Sequence, residues 1–118
     1  MTYGRVRRRA VPQPLPDSPL ESAIQGEIWT ALERIGCKVS STSQYRPSRQ
    51  ALGMPDLFVV HVAWKVHTWL EVKRPGEKPT KVQEAWHAAS REAGCPVYVV
   101  HSAEEALRAI DELHRRRA

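Results

Sequence analysis

Cysteine is scarce: Cys37 and Cys95 are the only two in 118 residues, too few for a disulfide framework and in keeping with a reducing compartment. No apolar run approaches the ~18 residues of a membrane-spanning helix, so no transmembrane segment or membrane partner is expected. Arg5, Arg7, Arg8 and Arg9 stand where a signal peptide could begin, but prolines follow in place of its apolar stretch. Secretion is therefore not expected, and the cytoplasm is. There is no glycine-rich phosphate loop, so no nucleotide cofactor is indicated. His61, His67, His87, His101 and His114 show no metal spacing with the cysteines, and no zinc site is expected.

What the chain does contain is an ordinary globular composition, 42% apolar and 26% charged, with length for one modest core. The charge is uneven. The chain carries +5, yet the four arginines of residues 1–11 and the three of Arg115–Arg117 leave residues 12–114 at −2. Arginine-rich ends on a mildly acidic body suit phosphate neutralisation in nucleic acid, although such ends also simply solubilise a chain.

Punctuation along the chain predicts a fold. Residues 1–17 alternate proline with other residues from Val11 onward and read as a basic, proline-rich tail. Ser18, Pro19 and Glu21 read as N-cap, first helical position and capping-box acid of a helix. Its apolar stripe is Ile24, Ile28, Ala31, Leu32 and Ile35, and Gly36 stops it. Cys37–Ser41 reads as a short strand and Thr42–Pro55 as a long polar loop. Asp56–Val62 and Val66–Lys73 are rich in β-branched and aromatic residues. They are too close for a crossover helix and predict an antiparallel hairpin, turning near Ala63–Lys65 without Gly or Asn. Thr80 caps a second helix ending at Gly94, Pro96–Val100 is a fourth strand, and Ser102 caps a last helix through about His114. The result is an α/β domain over 18–114 in the order αβββαβα, a mixed sheet flanked by helices, with 115–118 as a basic tail.

The chemistry concentrates on Asp56 and Glu71-Val72-Lys73. Asp56 and Glu71 are symmetric about the middle of the proposed turn, so a symmetric hairpin sets them opposite each other, ~5 Å apart. Two carboxylates that close repel unless a cation or proton lies between them. Hard oxygen ligands suit Mg²⁺ or Mn²⁺. Strand alternation brings Lys73 to the same face, where it can orient or deprotonate a water beside a carboxylate-bound cation. The plainer alternative is a solvated strand face carrying Glu-x-Lys.

Pro55-Asp56 followed by Glu71-Val-Lys73 resembles the PD-(D/E)XK nuclease signature. With Gly53-Met-Pro-Asp56, Glu71-Val-Lys-Arg-Pro-Gly76 and Thr80-Lys-Val-Gln83, the chain is similar to the VRR-NUC (virus-type replication-repair nuclease) family from about Glu21 to Ile110. The resemblance implies a restriction-endonuclease-like core. It also implies cation ligands at Asp56, Glu71 and the Val72 carbonyl, with Lys73 as the catalytic lysine. An acid or amide of the first helix would complete the site. Glu21 is the first candidate, in competition with its capping role, and Gln25 the second. Gln83 has two readings as well, a capping box with Thr80 or a place at the edge of the active site.

Arg46, Arg49, Arg74, Lys78 and Lys81 are the expected DNA contacts. Trp29, Trp64, Trp69 and Trp86 could stack on bases but read better as core or interface residues. The implied activity is Mg²⁺- or Mn²⁺-dependent cleavage of DNA, branched as for phage Holliday-junction resolvases, in the cytoplasm of a bacterium or phage-infected host. Paired cuts from a chain with one such constellation imply a homodimer, for which Trp29, Trp64 or Trp86 could supply exposed aromatic surface. A non-catalytic DNA-binding module on the same fold, or a nuclease of flaps, single strands or RNA, is the alternative.

Overall fold

The computed structural model describes residues 20–42 and 53–117. The elements follow in the expected order: α1 (Glu21–Arg34), β1 (Cys37–Ser41), β2 (Leu57–His61), β3 (Val66–Val72), α2 (Lys81–Glu92), β4 (Val97–Val100) and α3 (Ala103–Arg117). One mixed sheet has the order β1-β2-β3-β4. β1 and β3 run antiparallel to β2, and β4 runs parallel to β3. The parallel pair is the one joined through a helix, α2, as a crossover requires.

Alternation along the strands divides the sheet. Leu57 and Val59 on β2, with Val66, Leu70 and Val72 on β3, point to one face and are buried there. They meet Ile24, Ile28 and Leu32 from α1 and Ala106, Ile110 and Leu113 from α3. Each fully buried Ile or Leu contributes about 2 kcal/mol against exposure. The opposite parity of β3, His67, Trp69 and Glu71, faces the side of the sheet where α2 packs; the ring of Trp86 on α2 meets Trp69 edge-on, with centroids 5.5 Å apart.

The β2–β3 turn lacks a glycine, and Lys65 takes the left-handed conformation at φ 58°. His61 holds this end in place. Its Nδ1 accepts from the Trp64 N–H at 3.1 Å, so its Nε2 carries the proton and donates to the Ile35 carbonyl at 2.6 Å. The imidazole and the Trp64 and His114 rings stack in sequence, which ties the turn to the ends of α1 and α3.

Three expectations are corrected. α1 begins at Glu21 with Leu20 at its N-cap and no side-chain cap, so Glu21 is the first helical residue and not the capping-box acid of a Ser18 cap. Ser18 and Pro19 lie outside the described residues. α3 does not stop near His114 but takes in Arg115–Arg117. Arg115 and Arg116 pair one turn back with Asp111 and Glu112, and basic residues favour a helix C-terminus. Finally, Trp29, Trp64 and Trp86 are half-buried rather than exposed; Trp29 and Trp64 pack against the core.

Candidate active site

β2 and β3 pair from Leu57↔Leu70 to His61↔Val66, and one further step of this register sets Asp56 opposite Glu71. That is the relation expected from the hairpin symmetry. Asp56 is fixed twice over. Its Oδ2 accepts the Val72 N–H at 2.8 Å. Its carbonyl accepts the Thr42 N–H at 2.9 Å, while Thr42 Oγ1 donates to the Pro55 carbonyl at 2.9 Å. The end of β1 therefore clamps the start of β2, across the expected long loop whose residues 43–52 lie outside the described ones.

Glu71 is 1% exposed, an unusual place for a carboxylate. Burial and the facing Asp56 push its carboxyl up to about 8, and the Lys73 ammonium pulls the other way. Lys73 Nζ lies 4.0 Å from Glu71 Oε2 and is itself largely buried. Its backbone N–H goes to the Val100 carbonyl, so the parallel pairing with β4 continues through Lys73. Val72, whose carbonyl was the expected third ligand, ends β3 between the two charged residues.

Gln83 completes the capping box and at the same time reaches Glu71. Its Oε1 accepts the Thr80 N–H at 2.8 Å, and its own N–H goes to Thr80 Oγ1, which completes the capping box. Its Nε2 meanwhile donates to Glu71 Oε2 at 3.3 Å. One turn further along α2, buried His87 brings Nε2 to 3.1 Å from Glu71 Oε1. In the sequence His87 figures only as a histidine without zinc spacing, and its contact with Glu71 is missed. The available signal was its i+4 relation to Gln83.

Glu21 stands at the start of α1, half-buried. Burial and a hydrogen bond with Glu77 push its carboxyl up to about 6, and both Lys73 and Asp56 act on it. Glu77 in turn is held down to about 2, first by Arg74 and then by Glu21. Arg74 thus spends its guanidinium on Glu77, 3.2 Å away. Lys78 and Lys81 are exposed, with no ion pair to another described residue. Gln25 is half-buried one turn from Glu21 and makes no hydrogen bond to any of these groups. Arg46 and Arg49 lie outside the described residues. Asp56, Glu71, Lys73, Gln83 and Glu21 are therefore gathered in one place, and Gln25 is left aside.

Among the described residues, no three His, Cys, Asp or Glu side chains are grouped so as to hold a metal ion by themselves. An open groove of about 750 Å³ lies between β4 and α3 and is lined by none of these residues.

A family model described as the VRR-NUC domain matches residues 6–104. The chain belongs to the VRR-NUC family. A solved structure titled "VRR_NUC domain" is 27% identical, with a TM-score of 0.64 over 77% of this chain and 94% of that one. No curated protein matches. The VRR-NUC assignment makes this a nuclease-type domain, and the restriction-endonuclease-like α/β architecture agrees with it. Among the described residues no helix is long and apolar enough to cross a membrane.

Proposed function

We propose that this VRR-NUC domain is a divalent-cation-dependent endonuclease that hydrolyses phosphodiester bonds in DNA. The observation that carries the reading is the pairing of Asp56 with a buried Glu71 whose carboxyl is pushed up to about 8. Such a pair is poised to exchange a proton for a cation. Two carboxylates and a backbone carbonyl are a fitting donor set for Mg²⁺ or Mn²⁺, since Mg²⁺ keeps several waters and takes only one or two protein carboxylates. Asp56, Glu71 and the Val72 carbonyl would hold the ion, and Glu21, which feels the charge of Asp56, would be the helix acid that completes the site. When bound, it supplies charge stabilisation at the phosphate.

The chain's own groups do the rest. Lys73 orients the attacking water beside Glu71. The water oxygen gives a proton to solvent and forms a bond to phosphorus while the bond to the 3′ oxygen breaks in line and that oxygen takes a proton from solvent, leaving a 5′-phosphate and a 3′-hydroxyl. Gln83 fixes one oxygen of Glu71 and stands at the edge of the phosphate site. Exposed Lys78 and Lys81 flank the strand that enters, and Arg46 and Arg49 are proposed as further phosphate contacts.

Branched DNA is the proposed substrate, cut by a C2 homodimer. A chain with one Asp56/Glu71/Lys73 constellation needs a second copy to make two symmetric cuts in one encounter. The test is cleavage of linear, flapped, forked and four-way DNA with and without Mg²⁺, with mass measured by sedimentation at the same protein concentration. Paired Mg²⁺-dependent cuts in the four-way junction by a dimer are expected. Binding of DNA without cleavage under any divalent cation would make the domain a binding module. A monomer that only nicks would assign it to flaps or single strands.

A further inference from the structure

Glu71 is held by two residues of one helix, and only Gln83 belongs to the motif that carried the resemblance. Gln83 and His87 are four residues apart on α2, so they lie on one face, one turn apart. Gln83 Nε2 reaches Glu71 Oε2 at 3.3 Å and His87 Nε2 reaches Oε1 at 3.1 Å. Both oxygens are thereby engaged from the same side. The side chains of Glu71 and His87 are each only 2% exposed, so no bulk water can replace either contact. Removing the imidazole would leave a buried carboxylate oxygen without its donor, which costs more than an ordinary hydrogen bond contributes.

We propose that His87 is a positioning residue: it donates Nε2–H to Glu71 Oε1 and, with Gln83, locks the carboxylate in the orientation that faces Asp56. The affinity of the acidic pair for a divalent cation is set by that lock. The inference rests on the reading of Asp56 and Glu71 as cation ligands. Partners behind a ligating group fix its orientation, and their loss lowers metal affinity roughly 10–100-fold. His87 touches neither substrate nor the reacting atoms. Its effect passes through Glu71.

The experiment uses Mn²⁺ alone as the probe, titrated calorimetrically into the full chain, beside thermal melts and the Mg²⁺ dependence of cleavage. His87→Leu keeps the bulk and removes the donor. His87→Gln places an amide N–H near the position of Nε2, whereas His87→Asn, one methylene shorter, falls short of Oε1. The expected result is a roughly 10–100-fold loss of Mn²⁺ affinity in the Leu and Asn variants, with His87→Gln within a few-fold of wild type. The Mg²⁺ concentration for half-maximal cleavage should rise more than the rate at saturating Mg²⁺ falls. If His87→Leu does not fold, the comparison of Gln with Asn still decides. Unchanged Mn²⁺ affinity in a folded Leu or Asn variant, or equal affinity for Gln and Asn, would overturn the proposal. Failure of the wild type to bind Mn²⁺ would instead sink the cation-site reading on which it rests.

Discussion

The main-chain N–H of Val72 donates to Asp56 Oδ2 at 2.8 Å, so the carboxylate of one strand is tied to the backbone of the next between Glu71 and Lys73. Asn at position 56 can keep that acceptor while losing the charge. Asp56→Asn should therefore fold, and at a pH above 8, where Glu71 is ionised, relief of like-charge repulsion should stabilise it by about 1 kcal/mol. Mn²⁺ affinity should fall by more than roughly tenfold, and cleavage should be lost. Calorimetry and urea melts on the same samples separate the two effects.

In the absence of divalent cations, stability should decline with rising pH through neutrality. Glu71 is raised from 4.5 to about 8, so across that window the folded chain holds a proton that the unfolded chain has released. The unfolded state then binds fewer protons, and stability falls as pH rises, by up to about 1.4 kcal/mol per unit. Glu21, raised to about 6 by burial and Glu77, adds the same sign only at the acid end. His87, held below its ordinary 6.5 by burial, adds the opposite sign only up to about that pH, so the decline towards pH 8 comes from Glu71. Urea melts should show it, Glu71→Gln should flatten it, and saturating Mg²⁺ should reduce it.

The hairpin was legible because its register needs only two strands and a short turn, and strand alternation then fixes which residues share a face. Asp56, Glu71 and Lys73 followed from that alone. Gln83 was legible as a motif, but its double engagement was not, since a capping box uses Oε1 and leaves Nε2 to a partner from another element. His87 escaped because its one local signal, the i+4 relation to Gln83, does not point to a carboxylate 16 residues earlier as its partner. The start of α1 misled in the opposite way. Ser-Pro-x-Glu is a strong local cap signal, yet Glu21 hydrogen-bonds with Glu77 and lies in the field of Lys73 and Asp56, and tertiary electrostatics sets its surroundings. Arg115–Arg117 read as a tail because runs of like charge do; the ion pairs of Arg115 and Arg116 within α3 come from i,i+4 spacing that composition does not display.

Replacing Lys73 tests the water-orienting role. Lys73→Ala should reduce cleavage by roughly 10²-fold or more, the scale on which misplacing a reacting group slows a reaction. Binding to DNA, read by fluorescence anisotropy in Ca²⁺, should change only a few-fold, because Lys73 is 9% exposed and cannot make much phosphate contact. Near wild-type cleavage would remove Lys73 from the mechanism.

Two substitutions at Gln83 separate its roles. Glu is the usual capping-box residue, so Gln83→Glu should keep the bond to the Thr80 N–H and leave the melting temperature nearly unchanged. It also removes the donor to Glu71 and sets a third carboxylate against it, so cleavage should fall by at least roughly tenfold. Gln83→Ala loses both contacts and should destabilise the fold by about 1 kcal/mol as well. If Gln83→Glu cleaves as well as wild type, capping is its only task.

Gly53 opens the approach to Asp56, and its position admits no side chain. It sits at φ +86°, and a Cβ there would stand 2.5 Å from the carbonyl oxygen and 2.9 Å from the carbonyl carbon of Val82, in the first turn of α2. The backbone of one segment passes against the backbone of the other, so neither can yield by rotating a side chain. Gly94 is the natural control, at φ +93° with nothing within 4 Å of the added atom. Gly94→Ala should cost about 1 kcal/mol, for the left-handed conformation alone. Gly53→Ala adds the clash to the same conformational strain and should cost about 2–3 kcal/mol. It should also push the segment leading to Asp56 away from α2, which carries Gln83 and His87. Cleavage measured well below the melting temperature should therefore fall for Gly53→Ala and stay unchanged for Gly94→Ala. Equal melting temperatures for the two variants would mean that the contact with Val82 gives way easily and does not position Asp56.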